Sequence, residues 1–309
     1  MLSGWVLLLL GAFLIGIGAM AQAWAPARAE RVPMDVNSTT YLSGTVDKLN
    51  AQTGQVENNP VKVYSLTRVD PKRSDKNVAV WTSTTCVNID KDNPPDCLPG
   101  TDERVITDSV EVFATDRHTG EAVNDAKYVK TSVQYSGLVN KFPFNTERKD
   151  YALWDGTKGG TTVAKYVGTE SIQGVRVYRF DSEIKDAPIS LGPGIDGIYN
   201  LTKSVWVEPK TGAIIDQKQH DVRTLANGDP ALDMTIGFTP ATVSGFAHDA
   251  KDNIAQLKLT EHTVPLVGYV LGALALLGGA VLVIGATSRS RSYEYAGERG
   301  DPGLEASLS

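Results

Sequence analysis

Hydrophobic and polar positions divide the chain into stretches of different rhythm. Leu2 to Trp24 is apolar except for Ser3 and Gln22, and Val264 to Ile284 is apolar except for Tyr269. At about 1.5 Å per residue each run is roughly 30 Å or more long as a helix, enough to cross a bilayer core. Between them the period shortens to two. Val61–Val69, Val78–Val87, Val105–Ala114, Thr162–Gly168, Val175–Phe180 and Lys203–Val207 alternate polar with Val, Tyr, Ile or Trp, which predicts half-buried antiparallel strands. Turns are marked by Thr-Gly pairs at Gln52-Thr53-Gly54, His118-Thr119-Gly120 and Lys210-Thr211-Gly212, where glycine supplies a positive φ. Gly168–Phe180 followed by Ser204–Ile214 reads as a curved antiparallel meander. Asp249–Thr260 is the best helix candidate between the apolar runs, and it is short.

The predicted fold is mainly β: a large antiparallel domain, a curved sheet or half-barrel in one lobe or two, between two transmembrane helices. Its parts are a signal anchor at 2–24, an extracytoplasmic β-rich domain at 28–263, a second membrane helix at 264–286 and a cytoplasmic tail at 287–309. A cleaved signal peptide is the rival reading of the first run. Ala19–Ala29 offers small-x-small sites, but a basic n-region is missing, which favours a retained anchor.

Charge sharpens this organisation. No Asp, Glu, Lys or Arg occurs from Met1 to Ala27 or from Val264 to Ala286. Three of the 30 basic and four of the 36 acidic residues lie after Ala286, so the middle block carries a net charge of −5. That balance excludes nucleic acid as a partner, since phosphate neutralisation needs a basic surface. Arg289 and Arg291 follow the second run closely, so the positive-inside rule puts both termini in the cytoplasm and the middle block across the plasma (inner) membrane, facing the periplasm. Arg28 and Arg31 oppose this orientation, but a loop of this length is translocated regardless of charge. Gly268, Gly272, Gly278 and Gly279 are small positions suited to a second helix.

Cys86 and Cys97 enclose a polar, turn-rich decapeptide, which predicts a disulfide in an oxidising compartment, with two free thiols as the alternative. They do not supply the four ligands zinc takes, and the four histidines are scattered outside any metal motif. No nucleophile elbow, phosphate loop or dinucleotide fingerprint occurs, and Gly192–Gly197 reads as a flexible loop. The expectation is a protein without catalysis, metal or cofactor.

Gly137–Asp155 gathers Phe142, Phe144, Tyr151 and Trp154 around a polar turn. Ring faces beside Asp150 or Asp155 suit a sugar headgroup, because an aromatic face covers a pyranose while a carboxylate accepts its hydroxyls. The alternative is a hairpin whose aromatics fill the core.

The runs DRHTGEAV (Asp116–Val123), KFPFNTERKDYALWD (Lys141–Asp155), GTESIQGVRVYRF (Gly168–Phe180) and VWVEPKTG (Val205–Gly212), set between two apolar ends, resemble the actinobacterial PorA-like family of originally unknown function. That family includes the polar growth factor A proteins of mycolate-bearing bacteria. The resemblance implies trehalose monomycolate trafficking beside an MmpL-type exporter and a role in envelope growth. Gly168–Tyr178 and Trp206–Gly212 are also similar to lipoprotein-sorting and lipoglycan-carrier half-barrels, which implies acyl chains on a concave face. The candidate ligand-binding residues are therefore Phe142, Phe144, Tyr151, Trp154 and Asp155, with Tyr178 and Trp206 lining a groove. The alternatives are a scaffold or regulator that binds no lipid, which predicts a filled core and an exposed apolar patch, and a channel subunit, which two mostly apolar helices do not favour.

Overall fold

The computed structural model describes residues 2–24, 26–50 and 53–297, which fall into two compact units, Glu30–Ile254 and the pair of segments flanking it. Gln52 and tail residues 298–309 lie outside the described residues.

Glu30–Ile254 is built on one sheet. Its strands are β1 (Asn37–Leu49), β2 (Val56–Val69), β3 (Val78–Ile89), β4 (Val105–Asp116), β5 (Tyr151–Asp155), β6 (Gly160–Ile172), β7 (Val175–Gly192), β8 (Ile195–Glu208), β9 (Ala213–Leu225) and β10 (Pro230–Phe238). The spatial order is β4-β3-β2-β1-β10-β9-β8-β7-β6-β5, every neighbouring pair is antiparallel, and the sheet curls into a half-barrel. Each predicted strand lies wholly or almost wholly inside an observed one, and Gly168–Ile214 does form a meander. Gly192–Gly197 is the β7–β8 turn rather than a free loop, with Gly194 at φ 74°. β1, β5, β9 and β10 lie outside the predicted runs. Most of Gly137–Asp155, whose alternative reading is a hairpin with core-filling aromatics, is not strand: only Tyr151–Asp155 joins the sheet.

Strand alternation places the core. On the concave face Leu42, Val46, Val61, Val63, Leu232, Met234 and Ile236 form one cluster, and Tyr178, Phe180, Val205 and Val207 form another with Phe142 and Leu153. Each fully buried Val or Phe of these clusters contributes about 1.5–3 kcal/mol relative to exposure. α3 (Pro240–Lys258) covers the opposite face, where Ala247 and Ala250 pack on Val175, Val177, Trp206 and Ile215. This helix starts nine residues before the predicted Asp249 and is longer than the sequence pattern indicates.

The two sheet edges do not stay open. The connector after β4 pairs Ala122 with Thr115, Glu121 with Leu138, and Leu138 with Leu153 of β5. The Leu138 N–H donates to Ala152 O at 2.8 Å, and the Trp154 N–H donates to Leu138 O at 2.7 Å. These two short segments occupy backbone groups that an exposed edge would offer to another strand.

The flanking unit contains α1 (Leu2–Trp24), α2 (Pro26–Ala29), a π-helical turn at Leu259–Thr263 and α4 (Val264–Gly297). α1 and α4 are long and apolar enough to span a membrane. They pack antiparallel through glycines seven residues apart, Gly4, Gly11 and Gly18. A Cβ on Gly11 would lie 2.8 Å from Gly272 O, and one on Gly279 would lie 2.9 Å from Gly4 O, so the backbones meet where only hydrogen side chains fit. Gly268 joins this interface, whereas Gly278 faces open space. Tyr269 donates its hydroxyl hydrogen to Gln22 Oε1 at 2.7 Å, pairing the polar side chains of the two runs.

Candidate binding site at the sheet seam

Polar residues interrupt the apolar concave face. Register places Tyr199, Lys203, Asp221 and Arg223 of β8 and β9 on the same face as Val205 and Met234, and Asp155 of β5 reaches them across the curl. The Tyr199 hydroxyl donates to Asp155 Oδ2 at 3.2 Å, while Arg223 donates Nε and Nη2 to Asp221 at 3.0 and 2.6 Å. Burial raises the Asp221 carboxyl and the Tyr199 phenol above their ordinary values and lowers Lys203. Two carboxylates and two cations balance charge here. The pattern is that of a paired buried network, costly to break but of little net worth for stability.

The sequence-predicted residues separate into three groups. Phe142, Tyr151 and Tyr178 share the cluster around Phe180, with Phe142 at 0% exposure and ring centroids 4.7 Å from Phe180 and 5.4 Å from Tyr151. The Arg148 guanidinium lies 5.4 Å over the Tyr178 ring. Trp154 and Phe144 belong to a second cluster at the seam, with Trp81, Phe113 and Tyr135. Asp155 uses one oxygen for Tyr199 and the other to accept the Lys158 N–H at 2.8 Å. Trp206 stands on the opposite face beneath α3, donating Nε1–H to Glu170 at 2.8 Å. The disulfide Cys86–Cys97 is present.

At the seam a cleft of about 320 Å³ opens between β4 and the connector. Its lining mixes apolar Phe113, Val123, Val129 and Val133 with polar Asn124, Lys130, Thr131 and Gln134. Tyr135, also in the lining, places its ring 5.0 Å from Trp154. The Trp154 Nε1–H is buried without an acceptor. Beside it Glu111 of β4 reaches solvent, yet partial dehydration raises its carboxyl above the usual range. Sequence reading missed Glu111 and Tyr135. Glu111 alternates out of an ordinary strand, and Tyr135 sits in the connector, with no local signal linking either to Trp154.

The motif segments do converge, on a different part of the fold. The Phe142 N–H donates to Gly212 O at 3.0 Å, Phe144 N–H to His118 O at 3.1 Å and Thr146 N–H to Pro209 O at 2.7 Å. Two of the Thr-Gly turns share one construction: Asp116 accepts the Thr119 N–H at 2.7 Å, and Glu208 accepts the Thr211 N–H at 2.8 Å. A Cβ on Gly212, at φ 73°, would overlap the Phe142 carbonyl. Within this assembly Lys210 Nζ pairs with Glu30 Oε1, and the buried Lys141 Nζ, 3.9 Å over the Phe144 ring, has no hydrogen-bond partner. Burial pushes the Lys141 amine down to about 7, with Asp116 opposing the shift. Among the described residues no three His, Cys, Asp or Glu side chains gather as a metal site.

The family described as Porin PorA matches residues 3–281, nearly the whole chain. No curated protein matches it. Among solved structures, an N-terminal dehydratase from the difficidin assembly line aligns over 76% of this chain and 87% of its own at 8% identity, with a TM-score of 0.14, too low to carry an argument.

Proposed function

The chain belongs to the PorA family, and on that premise we propose that it is a membrane-anchored extracytoplasmic protein that binds a glycolipid, trehalose monomycolate, near an MmpL-type exporter during envelope growth. The observation that carries this reading is the cleft of about 320 Å³ beside β4, lined by apolar and polar side chains together, in a chain with two helices able to anchor it in a bilayer. An amphiphile matches such a lining, and each methylene it buries is worth about 0.8 kcal/mol. Non-catalytic binding and an inner-membrane location with both termini cytoplasmic belong to the same proposal. The family's name suggests a pore. For this chain the outward face of the sheet carries Lys62, Arg68, Lys165, Arg179, Asp181 and Lys218, where a lipid-facing barrel needs an apolar band.

The test is native mass spectrometry of the full chain released from detergent, incubated with trehalose monomycolate or with phosphatidylethanolamine. One-to-one retention of the glycolipid alone is expected. Equal retention of both lipids, or of neither, overturns the proposal and moves the reading to a scaffold that binds envelope proteins.

A further inference from the structure

We infer that the outer edge of β4 from Asp108 to Val112 is a strand-addition surface for an extended, basic segment of another polypeptide. The inference stands apart from the glycolipid-binding reading. It starts from the direction in which the β4 backbone points. The Val123 N–H donates to Ala114 O at 2.8 Å and the Asp116 N–H to Glu121 O at 2.8 Å, so at Ala114 and Asp116 the backbone faces the connector. Every second residue of a strand turns its N–H and C=O to the same side. Val112, Val110 and Asp108 therefore face away from β3, whereas Phe113, Glu111 and Ser109 bond to it opposite Trp81, Ser83 and Thr85. Among the described residues the connector bridges β4 only at Thr115, and no backbone bond from it reaches Val112, Val110 or Asp108. The register shift at Val87/Asn88, which breaks the alternation between Thr107 and Val105, sets the other limit of this edge.

Side chains on both faces of this edge reach solvent. Register places Glu111 on the concave face, in line with Val63 and Val87, and Asp108 and Val110 on the convex one. All three are exposed, Val110 to 68%. Edge strands are ordinarily guarded against pairing by lysine or proline. Val105–Asp116 contains neither, and no arginine. An apolar side chain in the open therefore stands between two unprotected rows of backbone donors and acceptors, the arrangement to which an extended peptide adds as a further strand.

Charge selects the occupant. The basic residue nearest Asp108 in sequence, Arg104, is committed to Asp102 at 2.7 Å, and Glu111 is affected by dehydration without a cation beside it. Two carboxylates three positions apart, on opposite faces, call for two cations with the same spacing on the incoming strand, since opposite charges facing each other across a ladder attract. In antiparallel pairing the residue between them that meets Val110 is apolar, which gives the order Lys-Val-Thr-Lys. A second copy of this chain does not meet the requirement: β4 holds no base, so a β4–β4 pair sets each carboxylate against an uncharged or acidic residue.

The full chain in detergent is titrated with a fluorescein-labelled peptide, Thr-Thr-Lys-Val-Thr-Lys-Thr-Thr, and with its counterpart carrying glutamate for both lysines, reading anisotropy. The lysine peptide is expected to bind more tightly by about tenfold or more. Hydrogen exchange locates the contact: the Asp108, Val110 and Val112 amides are expected to slow on binding, while those of Ser109 and Glu111, already bonded to β3, stay as they were. Val110→Pro removes an outward N–H and no bond to β3, so it is expected to weaken the lysine peptide about tenfold at an unchanged thermal midpoint. Asp108→Lys with Glu111→Lys is expected to transfer the preference to the glutamate peptide, and it decides the matter if the proline variant does not fold. Absence of binding, equal binding of both peptides, protection elsewhere, or a preference unmoved by the double variant overturns the proposal. A concentration-dependent dimer that protects the same three amides without peptide assigns the edge to a second copy and overturns the choice of occupant.

Discussion

Glu30 Oε1 lies 2.7 Å from Lys210 Nζ, joining residues 180 positions apart. The same oxygen accepts the Asn145 side-chain N–H at 2.8 Å, and His118 Nδ1 meets the Glu30 carbonyl at 2.7 Å. The first residue of the β unit is thereby tied to the turn between β8 and β9 and to both family motifs in the connector. Although burial opposes it, these partners hold the Glu30 carboxyl below its ordinary range. Glu30→Gln is expected to lower stability by about 2 kcal/mol, because Lys210 is left with a partly buried charge. Chemical denaturation at pH 7 measures this, and an unchanged midpoint contradicts the pairing.

Lys141 gives the opposite pH signature. Its amine titrates near 7 when folded and near 10.5 when unfolded, so between those values the unfolded chain binds more protons and stability rises with pH. Below about pH 7 the buried ammonium costs on the order of 5 kcal/mol relative to a neutral group. Lys141→Met is therefore expected to stabilise the protein most at pH 6 and least at pH 10. Parallel denaturation curves across that range, with the same slope for both proteins, would exclude this account.

The disulfide closes a loop of 11 residues' separation, and chain entropy assigns it about 3 kcal/mol. Cys86→Ser with Cys97→Ser is expected to lose that amount. Lys62 and Asn88 hold the same loop through the Pro94 and Asp96 carbonyls, so secondary structure by circular dichroism is expected to be retained.

In the helix pair, Gly11→Leu forces a branched side chain against the Gly272 backbone. Overpacking of this kind costs about 1–3 kcal/mol. The thermal midpoint of the full chain in detergent is expected to fall, while Gly278→Leu, with nothing within 4 Å, is expected to leave it unchanged.

Phe142→Ala removes a ring at 0% exposure, stacked on Phe180, and is expected to cost about 3–5 kcal/mol. Urea unfolding checks it. A loss under 1 kcal/mol contradicts the packing described.

Runs such as Val78–Val87 were legible from their Val and aromatic content: at the start of β3 both faces are buried, Val78 and Val80 on one and Trp81 on the other. β1 was not, because NSTTYLSGTVDKL contains a glycine and few large apolar residues, and its place in the sheet comes from pairing with both β2 and β10. Of α3 only the part from Asp249 was legible, and its start escaped for a similar reason: Ala247 and Ala250 bury its face on the sheet, and alanine leaves little apolar stripe to read. Within the candidate site, the aromatic segment was visible as composition. Its division between the Phe180 cluster and the seam depends on a connector whose path no local pattern specifies. Glu111 and Trp154 meet only because the sheet curls, and an unused hydrogen-bond donor is a property of three-dimensional surroundings, not of sequence.

β1 pairs with β10 in a register that joins Leu42 to Phe238, so the strand at the middle of the sheet has as one neighbour the last strand of the chain. During synthesis the first four strands emerge with one side of β1 uncovered, and it stays so while residues 117–238 follow. Closure of the sheet is therefore a late event, possible only when residue 238 has emerged. A nascent chain stalled before that point presents an unpaired strand to its neighbours.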